Sequence, residues 1–145
     1  MEPDWQGALA RAEAHSPFLA RLLGRFPKIA DLLASGRIDE ALAAARSAGE
    51  DSTDIPKALR EERSGFALTL AVGDLAGYFS LADVTRELSA LADRASNTAI
   101  DHAIRSRMGD AEPAGMVMIA LGKHGAQELN YSSDIDPILL YDPAH

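Results

Sequence analysis

The sequence predicts an α+β chain, an N-terminal all-helical region followed by the first strands of a mixed sheet. Three observations carry this reading. Residues 1–110 show helical spacing punctuated by Pro, Gly and capping residues. Ser80-x-x-Asp83 forms a capping box ahead of an apolar stripe at Leu81, Val84, Leu88, Leu91, Ala95 and Ala99. Two apolar runs, near 116–121 and 135–141, flank a Gly-containing turn.

The elements follow in order. A first helix is expected from about Asp4 to Ala14. Ser16-Pro17 restarts the helix, with Ser16 as N-cap and proline at the first helical position. Gly24 and Pro27 break it, and a short helix from Pro27 to Ala34 stops at Gly36. Asp39 to Ala48 is Ala-rich and ends at Gly49. Residues 50–54 form a polar connector. Pro56 opens a long helix to about Gly77, with Leu59, Phe66, Leu70 and Gly73 near helical spacing. Ser80 to about Met108 is the clearest helix, and Gly109 to Gly115, containing Pro113, is a linker. The organisation expected is a helical segment over 1–50, long helices over 51–110, and a strand-bearing segment over 111–145.

The chemistry lies in the last thirty residues. An apolar run from Met116 to Leu121 enters a turn at Gly122, a polar stretch follows, and Asp134 and Asp136 precede a second apolar run. Alternate residues of a strand share a face. If Asp134 and Asp136 begin a strand, both carboxylates point toward the end of the first turn and can hold a divalent cation against a polyphosphate. The bare pair is weak, because 13 Asp in 145 residues give about one Asp-x-Asp by chance. Its context is stronger: Gly122 lies twelve positions upstream, and Ser132 and Ser133 immediately precede Asp134.

That context, a Gly-turn feeding an Asp-apolar-Asp strand, is the pattern of polymerase-β-type nucleotidyltransferases. The stretch from Gly122 to Tyr141 resembles more narrowly the signature Gly-Lys-Leu-Gly-Gly-x-Glu-Leu-Asn-Tyr-x-Ser-Asp-Ile-Asp-Leu-Ile-x-x-Tyr. That signature belongs to the bacterial bifunctional glutamine synthetase adenylyltransferase/adenylyl-removing family. Asp74 to Gly77, Val84 to Asp93 and His15 to Leu19 are similar to upstream parts of the same family. Three positions depart from it: His124 stands for Leu, Ala126 for the second Gly, and Pro137 for Leu. Proline removes a ladder donor and belongs at a strand start, edge or bulge.

The resemblance implies an N-terminal part of the adenylyl-removing half, with residues 111–145 the start of the nucleotidyltransferase domain. Asp134 and Asp136 would be catalytic metal ligands for Mg²⁺ or Mn²⁺, and Gly122, Lys123 and Ser133 would face AMP, ADP or phosphate. It implies glutamine synthetase as partner, a PII signalling protein acting on the whole enzyme, and a cytoplasmic setting. Enzymes of this superfamily use a third carboxylate on a later strand, so the 145-residue chain is expected to be inactive alone.

Blander readings stand beside these. Asp134 and Asp136 also suit a strand cap and a turn; Gly122 can simply end a strand; Lys123 can be solvated; Ser132 and Ser133 are ordinary turn residues. Glu128 and Asn130 suit caps of the turn. His15, His102, His124 and His145 show no ligand spacing, and His124 receives no catalytic role. The competing class is a non-catalytic docking or scaffold module carrying an inert remnant of the site. Asp-x-Asp also occurs in glycosyltransferases, but the upstream Gly-turn and the missing doubly wound domain argue against that reading.

Composition narrows the classes. Net charge is −8, from 14 basic and 22 acidic residues, and no basic run exists, which argues against nucleic-acid binding. The absence of cysteine excludes disulfides and thiolate metal sites. The opening Met1-Glu2-Pro3-Asp4-Trp5 is unlike a signal peptide, and no apolar run approaches the ~20 residues of a membrane span.

Overall fold

The computed structural model describes residues 2–109 and 113–143. His145 and part of the expected 109–115 linker lie outside them. The element order is α1 (Trp5–His15), α2 (Pro17–Arg25), α3 (Pro27–Ala34), α4 (Ile38–Arg46), α5 (Ile55–Leu75), α6 (Leu81–Met108), β1 (Met116–Ala120), α7 (Gly122–Gly125) and β2 (Pro137–Tyr141). The chain forms two compact units, one up to Val84 and one from Thr85 onward. This is the α+β arrangement that the sequence predicts.

Helix starts in the first unit follow local capping chemistry. Asp4 accepts the Gly7 N–H, Ser16 accepts the Leu19 N–H ahead of Pro17, and Asp54 accepts the Lys57 N–H ahead of Pro56. Each satisfies a donor that the first helical turn leaves open. The break between α2 and α3 falls at Phe26, directly before Pro27, so Gly24 stays helical. The residue before a proline is pushed out of the helical region, which is why Pro27 rather than Gly24 sets the break. At Ser80 the box closes both ways: Asp83 accepts the Ser80 N–H at 3.0 Å, and Ser80 Oγ accepts the Asp83 N–H at 3.2 Å.

Phe66, Leu68, Leu70 and Val72 of α5 are fully buried, together with Leu33 of α3 and Ala41 of α4. Burying one such side chain as large as Phe or Leu contributes about 1.5–3 kcal/mol. Helices α4 and α5 approach closely at Ala45 and Gly65, where a side chain on residue 65 would meet the Ala45 Cα at 3.1 Å. The two ends of the unit are tied by the Asp4 N–H, which donates to the Ala76 carbonyl at 3.0 Å, and by Arg11, which donates to the Leu75 carbonyl at 2.9 Å. Trp5 packs on Tyr78 with ring centroids 5.5 Å apart.

The expected stripe on α6 is buried at Val84 and Leu91, whereas Leu81 is 80% exposed and Ala99 is exposed. Periodicity predicts which face of a helix is apolar, not how far along its length that face is covered. In the second unit, β1 and β2 pair antiparallel, with Met116 opposite Tyr141 and Ala120 opposite Pro137. Every residue of β2 is exposed. Among the described residues no helix is long and apolar enough to cross a membrane.

Candidate functional site

The site is built where β1 leaves the sheet. The Leu121 N–H donates to the Asp136 carbonyl at 3.2 Å, and the Asp142 N–H donates to the Gly115 carbonyl at 2.7 Å. In an antiparallel ladder, hydrogen-bonded and non-hydrogen-bonded pairs alternate. The pairs 115–142 and 121–136 are therefore bonded positions, and Ala120–Pro137 is a non-bonded one. Pro137 thus sits at a strand start, at a position where its missing N–H breaks no ladder bond.

The same alternation turns the Ala120 carbonyl away from β2. It meets α7 instead. A Cβ on Gly125 would run into the Ala120 carbonyl oxygen and lie 3.2 Å from its carbon, so the turn closes over β1 only with glycine there. Gly122 enters the turn at φ +56°, in the left-handed region that favours glycine. Its missing side chain faces the Asp136 carboxylate: a Cβ there would lie 3.7 Å from Asp136 Oδ2. The turn and the second aspartate are therefore immediate neighbours.

Asp134 and Asp136 are both exposed. They lie in the segment that leads into β2, which starts at Pro137, rather than inside the strand as the alternation argument expects. The loop before them is ordered by its own side chains. Asn130 Oδ1 accepts the Ser132 N–H at 2.9 Å, Ser133 Oγ accepts the Asn130 N–H at 3.1 Å, and the Asn130 carbonyl accepts the Ser133 N–H at 3.2 Å. Asn130 thus supports the turn, and the Ser133 hydroxyl keeps its own hydrogen available to donate. Lys123 is exposed, and its carbonyl accepts the Glu128 N–H at 2.7 Å. Helix α7 carries no side-chain cap, so Glu128 acts here through its backbone.

The donor set suits a hard divalent cation, since both candidate ligands are carboxylates open to solvent. Among the described residues, no group of three or more His, Cys, Asp or Glu side chains could hold a metal ion. Two carboxylates leave most of a Mg²⁺ or Mn²⁺ coordination sphere to water and to phosphate oxygens.

One residue carries more structure than the sequence suggests. His124 is 1% exposed, and its Nε2 lies 2.8 Å from Asp93 Oδ1 on α6. Five residues on, the Leu129 N–H donates to Ser89 Oγ at 3.4 Å, and Ser89 Oγ–H donates to the Thr85 carbonyl at 2.8 Å. The only sequence signal was that His124 stands where the similar motif has an apolar residue.

The family model described as glutamate-ammonia ligase adenylyltransferase matches residues 6–145. Curated relatives are bifunctional glutamine synthetase adenylyltransferase/adenylyl-removing enzymes. The protein from Caulobacter vibrioides is 38% identical over 94% of this chain and 16% of its own length. The protein from Xanthobacter autotrophicus is 42% identical over 68% of this chain and 11% of its own. The protein from Mesorhizobium japonicum is 31% identical over 95% of this chain and 16% of its own. The chain thus spans about a sixth of the length of the first and third of these relatives. No solved structure matches it. The family model over residues 6–145 and this identity across nearly the whole chain place the protein in the glutamate-ammonia ligase adenylyltransferase family.

Proposed function

We propose that this chain supplies one wall of a nucleotidyltransfer site that controls glutamine synthetase by removing AMP from an adenylylated tyrosine. The observation that carries the reading is the Gly122 backbone set against the Asp136 carboxylate, with Asp134 two residues upstream and both carboxylates exposed. Asp134 and Asp136 are the candidate ligands for Mg²⁺ or Mn²⁺. The cation, when bound, offsets charge on the phosphate oxygens and helps align the reacting groups. Gly122 lets a phosphate approach the backbone without a side chain between them. Lys123 offers a compact positive charge and Ser133 a hydroxyl.

In the reaction, an oxygen of inorganic phosphate attacks the AMP phosphorus. The bond from phosphorus to the tyrosine oxygen breaks, ADP leaves, and the phenolate takes up a proton. No covalent protein intermediate is required. A response to a PII signalling protein and a cytoplasmic setting are part of the same proposal. The chain alone is expected to lack useful activity, because misplacement of a reacting group by about 1 Å costs roughly a hundredfold.

The test is Mn²⁺ titration of the chain against the Asp134→Asn/Asp136→Asn double variant, together with an assay for phosphate-dependent ADP release from adenylylated glutamine synthetase. Weak Mn²⁺ binding that the double variant loses is the expected result. Equal affinity in both proteins would remove the site, and vigorous ADP release by the chain alone would overturn the expectation that it lacks useful activity. The alternative, a docking or scaffold module, predicts no difference in metal binding and direct binding to glutamine synthetase that the chain and its double variant share.

A further inference from the structure

We propose that His124 is a positioning residue for the carboxylate site, acting through Asp93 to hold the Gly122 turn, and with it Asp136, against α6. The proposal rests on the function proposed above for Asp134 and Asp136. It goes further by assigning a role to His124, a position where the chain departs from the resemblance motif, and to Asp93 on α6.

The argument starts from burial. His124 is 1% exposed, yet among the described residues its Nδ1 has no hydrogen-bond partner. Its polar tie among the described residues is Nε2 to Asp93 Oδ1 at 2.8 Å. A carboxylate oxygen accepts, so Nε2 carries the hydrogen and donates. A buried imidazole with one ring nitrogen unpaired is a costly choice for filling space that an apolar side chain would fill. What the imidazole adds over leucine is direction: one bond that fixes where the turn sits.

The placement of that bond gives it leverage. Asp93 and Ser89 lie four residues apart, hence on one face of α6. They hold the 124–129 segment at both ends, Asp93 through His124 and Ser89 through the Leu129 N–H. Helix α7 is a single turn with no side-chain cap, so it has little stability of its own. Fixing it fixes the start of the turn, where the Leu121 N–H bonds the Asp136 carbonyl and Gly122 faces Asp136 Oδ2. The path runs from Asp93 to His124, through one helical turn, to the second aspartate.

The experiment compares four variants of the full chain. H124L keeps apolar volume and loses the bond; H124Q returns an amide N–H to the Nε2 position. D93A removes the acceptor, and D93N keeps an acceptor oxygen without the charge. Mn²⁺ affinity is read by electron paramagnetic resonance, amide exchange at Leu121 by NMR, and folding by urea titration. H124L and D93A should weaken Mn²⁺ about tenfold, the lower end of what supporting residues around metal ligands contribute, while H124Q and D93N stay within about threefold of the parent. Leu121 exchange should quicken in the first two variants and not in the second two. The Asp93 side chain is 48% exposed, so D93A reads the bond even if H124L fails to fold.

Parent-like Mn²⁺ affinity and Leu121 exchange in D93A would overturn the proposal. D93N behaving like D93A would also overturn it, since charge and not the directed bond would then matter. If the parent itself binds no Mn²⁺ through Asp134 and Asp136, the functional reading fails separately. Leu121 exchange then decides alone whether His124 holds the turn.

Discussion

Substituting Gly125 by alanine is the most direct test of how the turn is built. The perturbation is one methyl group, and its target is the Ala120 carbonyl oxygen, which the new Cβ would overlap. That carbonyl belongs to β1 and points away from β2, so it yields only if the strand end or α7 shifts. Forcing extra volume into such a contact costs about 1–3 kcal/mol. Alanine returns up to about 1 kcal/mol by restricting the unfolded chain. Taken at mid-range, the net loss is about 1–2 kcal/mol. Gly122 provides the contrast. A Cβ there finds only ordinary contact, 3.7 Å from Asp136 Oδ2, so its penalty comes from φ +56° alone. For alanine that penalty is about 1–2 kcal/mol, and asparagine, which visits the left-handed region readily, should escape most of it. The assay is native-state hydrogen exchange at the Leu121 and Ala126 amides, which donate to Asp136 and Gly122 respectively. A loss of 1.4 kcal/mol makes local opening about tenfold more frequent. Gly125→Ala and Gly122→Ala should both quicken exchange by about that factor, and Gly122→Asn should not. Unchanged exchange in Gly125→Ala would refute the steric argument, and equal damage from Asn and Ala at 122 would refute the conformational one.

Two further outcomes are expected in the first unit. Phe66→Ala should cost about 3–5 kcal/mol, because Phe66 is fully buried and the cavity cannot fill from solvent; urea denaturation followed by circular dichroism checks this, and a loss below about 1 kcal/mol would mean that α5 repacks. Acid should loosen the helix starts before the core. The Gly7 N–H, and then Arg11, hold the Asp4 carboxyl below its ordinary value, and Arg37 does the same for Glu40. A carboxyl whose folded value is lowered stabilises fully above its unfolded value, about pH 4, and that contribution disappears as pH falls through the folded value. Asp4→Asn, which still caps the helix, should flatten this part of the stability profile between about pH 5 and pH 2; an unaltered profile would place the acid sensitivity elsewhere.

What was legible in the sequence is what depends on near neighbours. Ser16 as a cap and Ser80 with Asp83 are relations over three residues, and each appears in the structure as read, whereas the Asp54 cap on the Lys57 N–H emerges from what reads only as a polar connector. The two strands were legible for the same reason, since each is a short apolar run beside a turn. The phase of their ladder was not. Whether Pro137 harms the sheet depends on whether it falls opposite a bonded or a non-bonded partner, and that parity follows from the Leu121–Asp136 and Gly115–Asp142 bonds. The anchoring of the turn was further out of reach. His124 and Asp93 are 31 residues apart, Leu129 and Ser89 are 40 apart, and neither pair has a spacing that chemistry would favour in advance. The site itself divides along this line. Its candidate ligands, Asp134 and Asp136, were visible as residue types in a pattern. The groups bonded to the neighbouring turn, Ser89 and Asp93, come from an element whose own sequence reads as an ordinary amphipathic helix. A motif marks residue types that would touch a substrate, whereas only the folded chain brings Ser89 and Asp93 of α6 to the segment that carries His124 and Leu129.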